Sequence, residues 1–162
     1  MTTSDIHIAE LTELISRWWF HYDQGDFAAL RELLHEDMHF SCSSDTGETD
    51  FEEFIQCDLH GVEEVMAWQS NHRLHSPYPL RHNGTNIHTT GRDGDATHFA
   101  SYIFVTKVVN GMPHNISSGI VTGTVVPGSD HPVFRSMSVV LDTMDSLDHL
   151  PSDQKEALLT NK

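Results

Sequence analysis

Apolar side chains recur at Ile8, Leu11, Leu14, Ile15, Trp18, Trp19 and Tyr22, a three-and-four spacing that lines one face of a helix. The spacing predicts a helix over residues 6–24, introduced by Ser4 and Asp5 as cap residues and stopped by Gly25. A second, short helix follows with Asp26 as N-cap and Phe27, Leu30, Leu33 and Leu34 facing inward. Met38 to Ser43 then alternates as a short strand. An acidic loop comes next, with Phe51 to Ile55 as a single helical turn inside it. Val62 to Ser70 reads as a third helix that packs through Val62, Val65, Met66 and Trp68.

From Arg81 onward the period becomes that of strands, over residues 81–90, 96–109, 115–126 and 133–142. Asp93-Gly94, Asn110-Gly111 and Pro127-Gly128-Ser129-Asp130 separate them, each a turn-forming group. Helices first and strands afterwards predict an α+β domain, with a four-stranded antiparallel meander curling around three N-terminal helices. Val and Ile occupy both parities late in the chain, as at Ile116 and Val121, then Val139 and Val140. Both sheet faces are therefore expected to be covered, the outer one by a second copy in a homodimer.

Length fits this picture. A chain of 162 residues makes one domain and buries roughly 70% of its unfolded surface. The expected core spans about residues 6–142, followed by a tail over 143–162 that holds Pro151 and a terminal helix from Asp153 to Leu159. The net charge of −15 repels phosphate backbones and anionic lipid surfaces, which argues against nucleic acid and membrane as partners. No apolar run reaches the ~18 residues of a membrane span, the N-terminus has no secretory pattern, and Cys42 and Cys57 have no C-x-x-C spacing. A reduced, cytoplasmic protein is expected.

Thirteen histidines raise the question of metal. His35 and His39 are four apart, but one lies near a helix end and the other opens a strand. His72 and His75 are three apart in a Pro-flanked loop. Neither pair has a third ligand at recognisable spacing, so no metal and no cofactor are expected. His60, His72 and His75 border the acidic loop, where a cavity mouth would lie.

Two stretches resist a purely structural reading. In "WWFHYDQGDFAAL", Asp23 sits in the last turn of an apolar helix, where a carboxylate meets the negative end of the helix dipole. In "RHNGTNIHTT", His82, Gly84, Asn86 and His88 share one strand face. If the sheet wraps the helices, His82 meets Asp23, and an imidazole held by a carboxylate at one nitrogen presents the other as a general base. A satisfied core histidine and an exposed helix-end carboxylate are the bland alternatives. Tyr22 and Tyr102 either project hydroxyls into the cavity or simply pack. Asn86 either orients a substrate oxygen or completes a strand-end hydrogen bond.

The run "YDQGDFAALRELLHEDMHF", then "GVEEVMAW", then "RHNGTNIHTTGRDGDATHFASYIFV" resembles the SnoaL-like branch of the nuclear transport factor 2-like superfamily, over about residues 8–142. It is especially similar there to the subgroup holding scytalone dehydratase and hexachlorocyclohexane dehydrochlorinase. The resemblance implies a cone: a curved, mixed sheet closed by three helices over an apolar cavity. Tyr22-Asp23 matches the end of the family's first helix and His82 its strand histidine, which implies an Asp23–His82 dyad that removes a proton in an elimination. The match is incomplete. The second catalytic histidine of scytalone dehydratase falls at Ala100, with His98 nearby. The basic helix residue of the dehydrochlorinase falls at Trp18, and its last-strand arginine near Met137, where Arg135 is the available substitute.

These residues predict a cofactor-independent lyase or isomerase acting on a small, apolar, cyclic substrate, with Asp23 and His82 catalytic. Tyr22, Trp19, Asn86, Tyr102, Arg135 and Met137 are the expected substrate contacts. The alternative is a non-catalytic module of the same fold that binds a small ligand or dimerises.

Overall fold

The structure, a computed structural model, describes residues 6–143; the expected caps Ser4 and Asp5 and the expected tail helix lie outside them. Helix α1 (Ile8–Gln24) starts where the Glu10 carboxylate accepts the His7 N–H at 2.8 Å. It stops at Gly25, whose φ of 70° is open to glycine at little cost. Asp26 then caps α2 (Phe27–Arg31) by accepting the Ala29 N–H at 3.2 Å.

The expected second helix runs to Leu34, whereas α2 ends at Arg31 and β1 (Leu34–Ser44) begins there. Strand pairing overrides the helical spacing: Leu34 lies beside Phe134, and the Phe134 N–H donates to the Leu33 carbonyl at 2.8 Å. The single turn α3 (Glu52–Ile55) forms as expected. Residues 57–60, read as loop, instead form β2 (Cys57–His60) against β1. Helix α4 (Val62–His75) runs five residues past its expected end because its inward stripe continues through the buried polar side chains Gln69 and Arg73.

The remaining strands are β3 (Leu80–Asp93), β4 (Ala96–Val109), β5 (Met112–Val126) and β6 (Val133–Leu141). They form the expected meander, with Asn110 and Gly111 both at positive φ in the β4–β5 turn. The meander is part of a larger sheet of six strands, ordered β2-β1-β6-β5-β4-β3, in which β1 runs parallel to β6 and the other pairs are antiparallel. This is a curved, mixed sheet over helices, and the fold class is α+β as expected. The core fills the space between the inner sheet face and α1. Trp18, fully buried, lies with its ring centre 6.3 Å from Phe40 and 5.6 Å from Phe134. No helix among the described residues is long and apolar enough to cross a membrane.

One tie sets the end of α1. Buried Arg73 of α4 donates from Nε and Nη2 to the Asp23 carbonyl at 3.1 and 2.8 Å, and from Nη1 to the Pro77 carbonyl at 3.3 Å. A cation at a helix C-terminus opposes the negative dipole end that makes Asp23 locally unfavourable. Arg73→Met strips both donors from a buried carbonyl and is expected to lower stability by about 1–3 kcal/mol, read as a lower denaturant midpoint; an unchanged midpoint would contradict the tie.

Candidate active site

The last turn of α1 carries Asp23 inward, where only 3% of it is exposed. Its two carboxylate oxygens receive separate groups of one residue on β3. Oδ2 accepts the His82 backbone N–H at 2.8 Å, and Oδ1 lies 2.6 Å from His82 Nδ1. A carboxylate only accepts, so Nδ1 carries the proton in this pair. His82 also lines an apolar cavity, and with Nδ1 committed its Nε2 has no hydrogen-bond partner among the described residues. The ring is further fixed by Trp19, stacked at 5.0 Å and 10°, and by Tyr22, edge-on at 5.1 Å.

Helix α1 comes this near to β3 because Gly84 lies beneath it. A Cβ at residue 84 would lie 3.2 Å from Ile15 Cγ2 and 3.3 Å from the Trp19 indole, closer than side chains pack comfortably. Small size at this position lets Trp19 lie over His82.

A second pair faces the same cavity. Tyr22 Oη and His72 Nδ1 of α4 lie 2.5 Å apart, and the His72 ring is sandwiched between Trp68 (4.5 Å, 14°) and Phe54 (4.3 Å, 27°). Burial pushes the Tyr22 hydroxyl above its ordinary range. Burial also pushes His72 down to about 4, with the nearby His82 and Arg73 adding to the effect. Both groups are therefore neutral at pH 7 and hold two protons between them, one of which fills their mutual bond. The other sits at the phenol oxygen or at the buried His72 Nε2, which has no hydrogen-bond partner among the described residues.

The cavity measures about 240 Å³ and its wall is mostly apolar, with Phe40, Ile103, Val105 and Val139 from the sheet and Phe51 and Phe54 at its half-exposed margin. A cavity of about 150 Å³ accommodates benzene, so a substituted ring fits here. Buried Gln69 adds an amide to the wall. Cys42 also lines it, but burial raises its thiol to about 12 and so keeps it protonated and unreactive.

Asp23, His82, Tyr22 and Trp19 thus come together as the pattern along the chain predicts. The other expected contacts lie elsewhere. Asn86 sits at a bulge with φ of 55°, exposed, and the bulge reverses the alternation so that Ile87 turns inward. Tyr102 is 54% exposed on the outer face, because it is Ile103 and Val105 that point into the cavity. Arg135 is exposed, whereas Met137 is buried in the core away from the principal cavity; the register shift near Thr124 and Val125 undoes the parity assumed for them. Trp18 is core. His98 faces outward and bonds Thr124 Oγ1 at 3.2 Å, so the cavity's second histidine is His72, from a helix. Of the three histidines expected near a cavity mouth, His72 lines the cavity, whereas Gln69 was missed, although both continue the inward stripe of α4. His75 is exposed and His60 lies on the outer sheet face.

The SnoaL-like domain model matches residues 6–144. Solved structures share the fold at low identity. An NTF2-like protein with a cystatin-like fold from Novosphingobium aromaticivorans is 22% identical, covering 93% of this chain and 87% of that one, with a TM-score of 0.66. ActVI-ORFA from Streptomyces coelicolor is 21% identical, covering 82% and 95%, with a TM-score of 0.67. A putative scytalone dehydratase from N. aromaticivorans is 14% identical, covering 84% and 83%, with a TM-score of 0.65. No curated protein matches the sequence. With the family model spanning most of the chain on an NTF2-like framework, the protein belongs to the SnoaL-like domain family.

Proposed function

We propose that this protein is a cofactor-independent lyase or isomerase in which His82 is the general base. The observation that carries the reading is the 2.6 Å contact of His82 Nδ1 with a buried carboxylate at the wall of an apolar cavity. His82 Nε2 takes a proton from an activated carbon of the substrate, and Asp23 stabilises the imidazolium that forms. The electron pair of the broken C–H bond makes a new double bond. In an elimination a leaving group departs with its bonding electrons; in an isomerisation the proton returns from Nε2 to a different carbon. With its second proton on the phenol oxygen, the Tyr22–His72 pair holds the oxygen on which negative charge develops. A small, apolar, cyclic substrate suits the volume and the wall.

The outer sheet face supports assembly as a homodimer. Tyr102, Ile120 and Val140 lie side by side across β4, β5 and β6 on that face, forming one apolar row.

His82→Ala and Asp23→Asn are expected to lower turnover of an activated cyclic substrate by about 10²- to 10⁴-fold. Full turnover in either variant would overturn the His82 base, and a wild type that binds such a ring without turning it over would leave a binding module in place of an enzyme. For the dimer, Tyr102→Arg is expected to halve the sedimenting mass; a wild-type monomer would refute this assembly. His72 makes stability depend on pH. Its folded value of about 4 lies below the ordinary 6.5, so the unfolded chain takes the proton first. Its contribution is complete above about pH 6.5 and is lost as the pH falls towards 4. Thermal midpoints should therefore fall less steeply over that window in His72→Phe than in the wild type, and identical slopes would contradict the buried neutral state.

A further inference from the structure

On the outer face of the sheet, opposite the cavity, we infer that His39, Asp58 and His60 form a binding site for a divalent transition-metal ion of the zinc class. The pairing of β1 with β2 sets His39 directly across from His60 and Ser41 across from Asp58. Alternation along β2 puts Asp58 and His60 on one face, the face of His39. The two imidazole rings stack at 4.2 Å and 11°. Asp58 Oδ1 lies 2.6 Å from His39 Nε2 and 3.6 Å from His60 Nε2, and one ligand atom from each residue falls within 4.8 Å of the others.

Ligands about 2.0–2.1 Å from a zinc-like ion sit about 3 Å from one another. Small rotations of three exposed side chains bring these atoms to that spacing, and the antiparallel pairing already sets their origins. Two imidazoles with one carboxylate favour zinc, nickel or copper over magnesium and calcium, which prefer all-oxygen sites. A plain surface ion pair accounts for His39 with Asp58, which the His39 contact holds below the usual carboxylate range. It does not account for a second imidazole stacked on the first and turned to the same oxygen, since exposed pairs add little stability. The net charge of −15 adds a general attraction for cations. Three protein ligands leave the remaining coordination positions to water. The triad lies on the two strands at the β2 edge, apart from the Tyr102 row, whereas His82 is on β3 at the other edge and faces the cavity.

Titration of the metal-free full chain with zinc chloride, followed calorimetrically, tests the site. One equivalent should bind, excess magnesium should not displace it, and His39→Ala, His60→Ala and Asp58→Asn should each weaken binding by about tenfold or more. Histidine-ring NMR of the wild type supplies an assay that needs no variant: the first equivalent of zinc should shift the His39 and His60 resonances before any others. Wild-type affinity in the single variants, equal competition by magnesium, or first shifts at other histidines would overturn the assignment.

Discussion

The architecture of the site depends on one buried carboxylate that bridges a helix end to a strand. Asp23 spends one oxygen on the backbone N–H of His82 and the other on its ring, so a single side chain sets both where β3 meets α1 and how the imidazole is turned. Burying a charge is costly unless every lone pair is used. Here His82 meets the carboxylate while Arg73 meets the carbonyl of the same residue. A helix C-terminus that is electrostatically wrong for Asp23 in isolation becomes tolerable through a cation from α4 and two donors from the sheet.

The rest of the cavity follows from that anchor. With Trp19 and Tyr22 one turn and one residue before Asp23, fixing the helix end also places an indole on the face of His82 and a phenol at its edge. Tyr22 meets His72, which lies one residue before Arg73 on α4, so both polar pairs are held by the same crossing of two helices. Apolar residues of the sheet close the space around them, which keeps water from competing for the few donors and acceptors that remain.

The sequence showed the first half of this site more clearly than the second. Helix spacing up to Tyr22 and the odd carboxylate after it exposed Asp23, and the polar face at the start of β3 exposed His82. Alternation failed beyond Thr85, because a bulge at Asn86 reverses the inward face and no local pattern marks it. It failed again at Arg135 for a similar reason. Two elements were hidden by composition. Strand β2 is four residues of mixed polarity that pair only because β1 offers an edge, and the second half of α4 buries Gln69 and Arg73, polar side chains that no apolar spacing marks as inward. Without β2, His39 and His60 are twenty-one residues apart with nothing to join them. The meander, the Asn110-Gly111 turn and the α+β order were legible because each is a local pattern with strong turn chemistry.

The contact with Asp23 requires the His82 proton to sit on Nδ1, which leaves Nε2 as the acceptor. Nitrogen-15 NMR of the imidazole, at a pH where the ring is neutral, reads this directly. A protonated Nδ1 and a bare Nε2 are expected in the wild type, with that preference lost in Asp23→Ala. A wild-type His82 carrying its proton on Nε2 would contradict it.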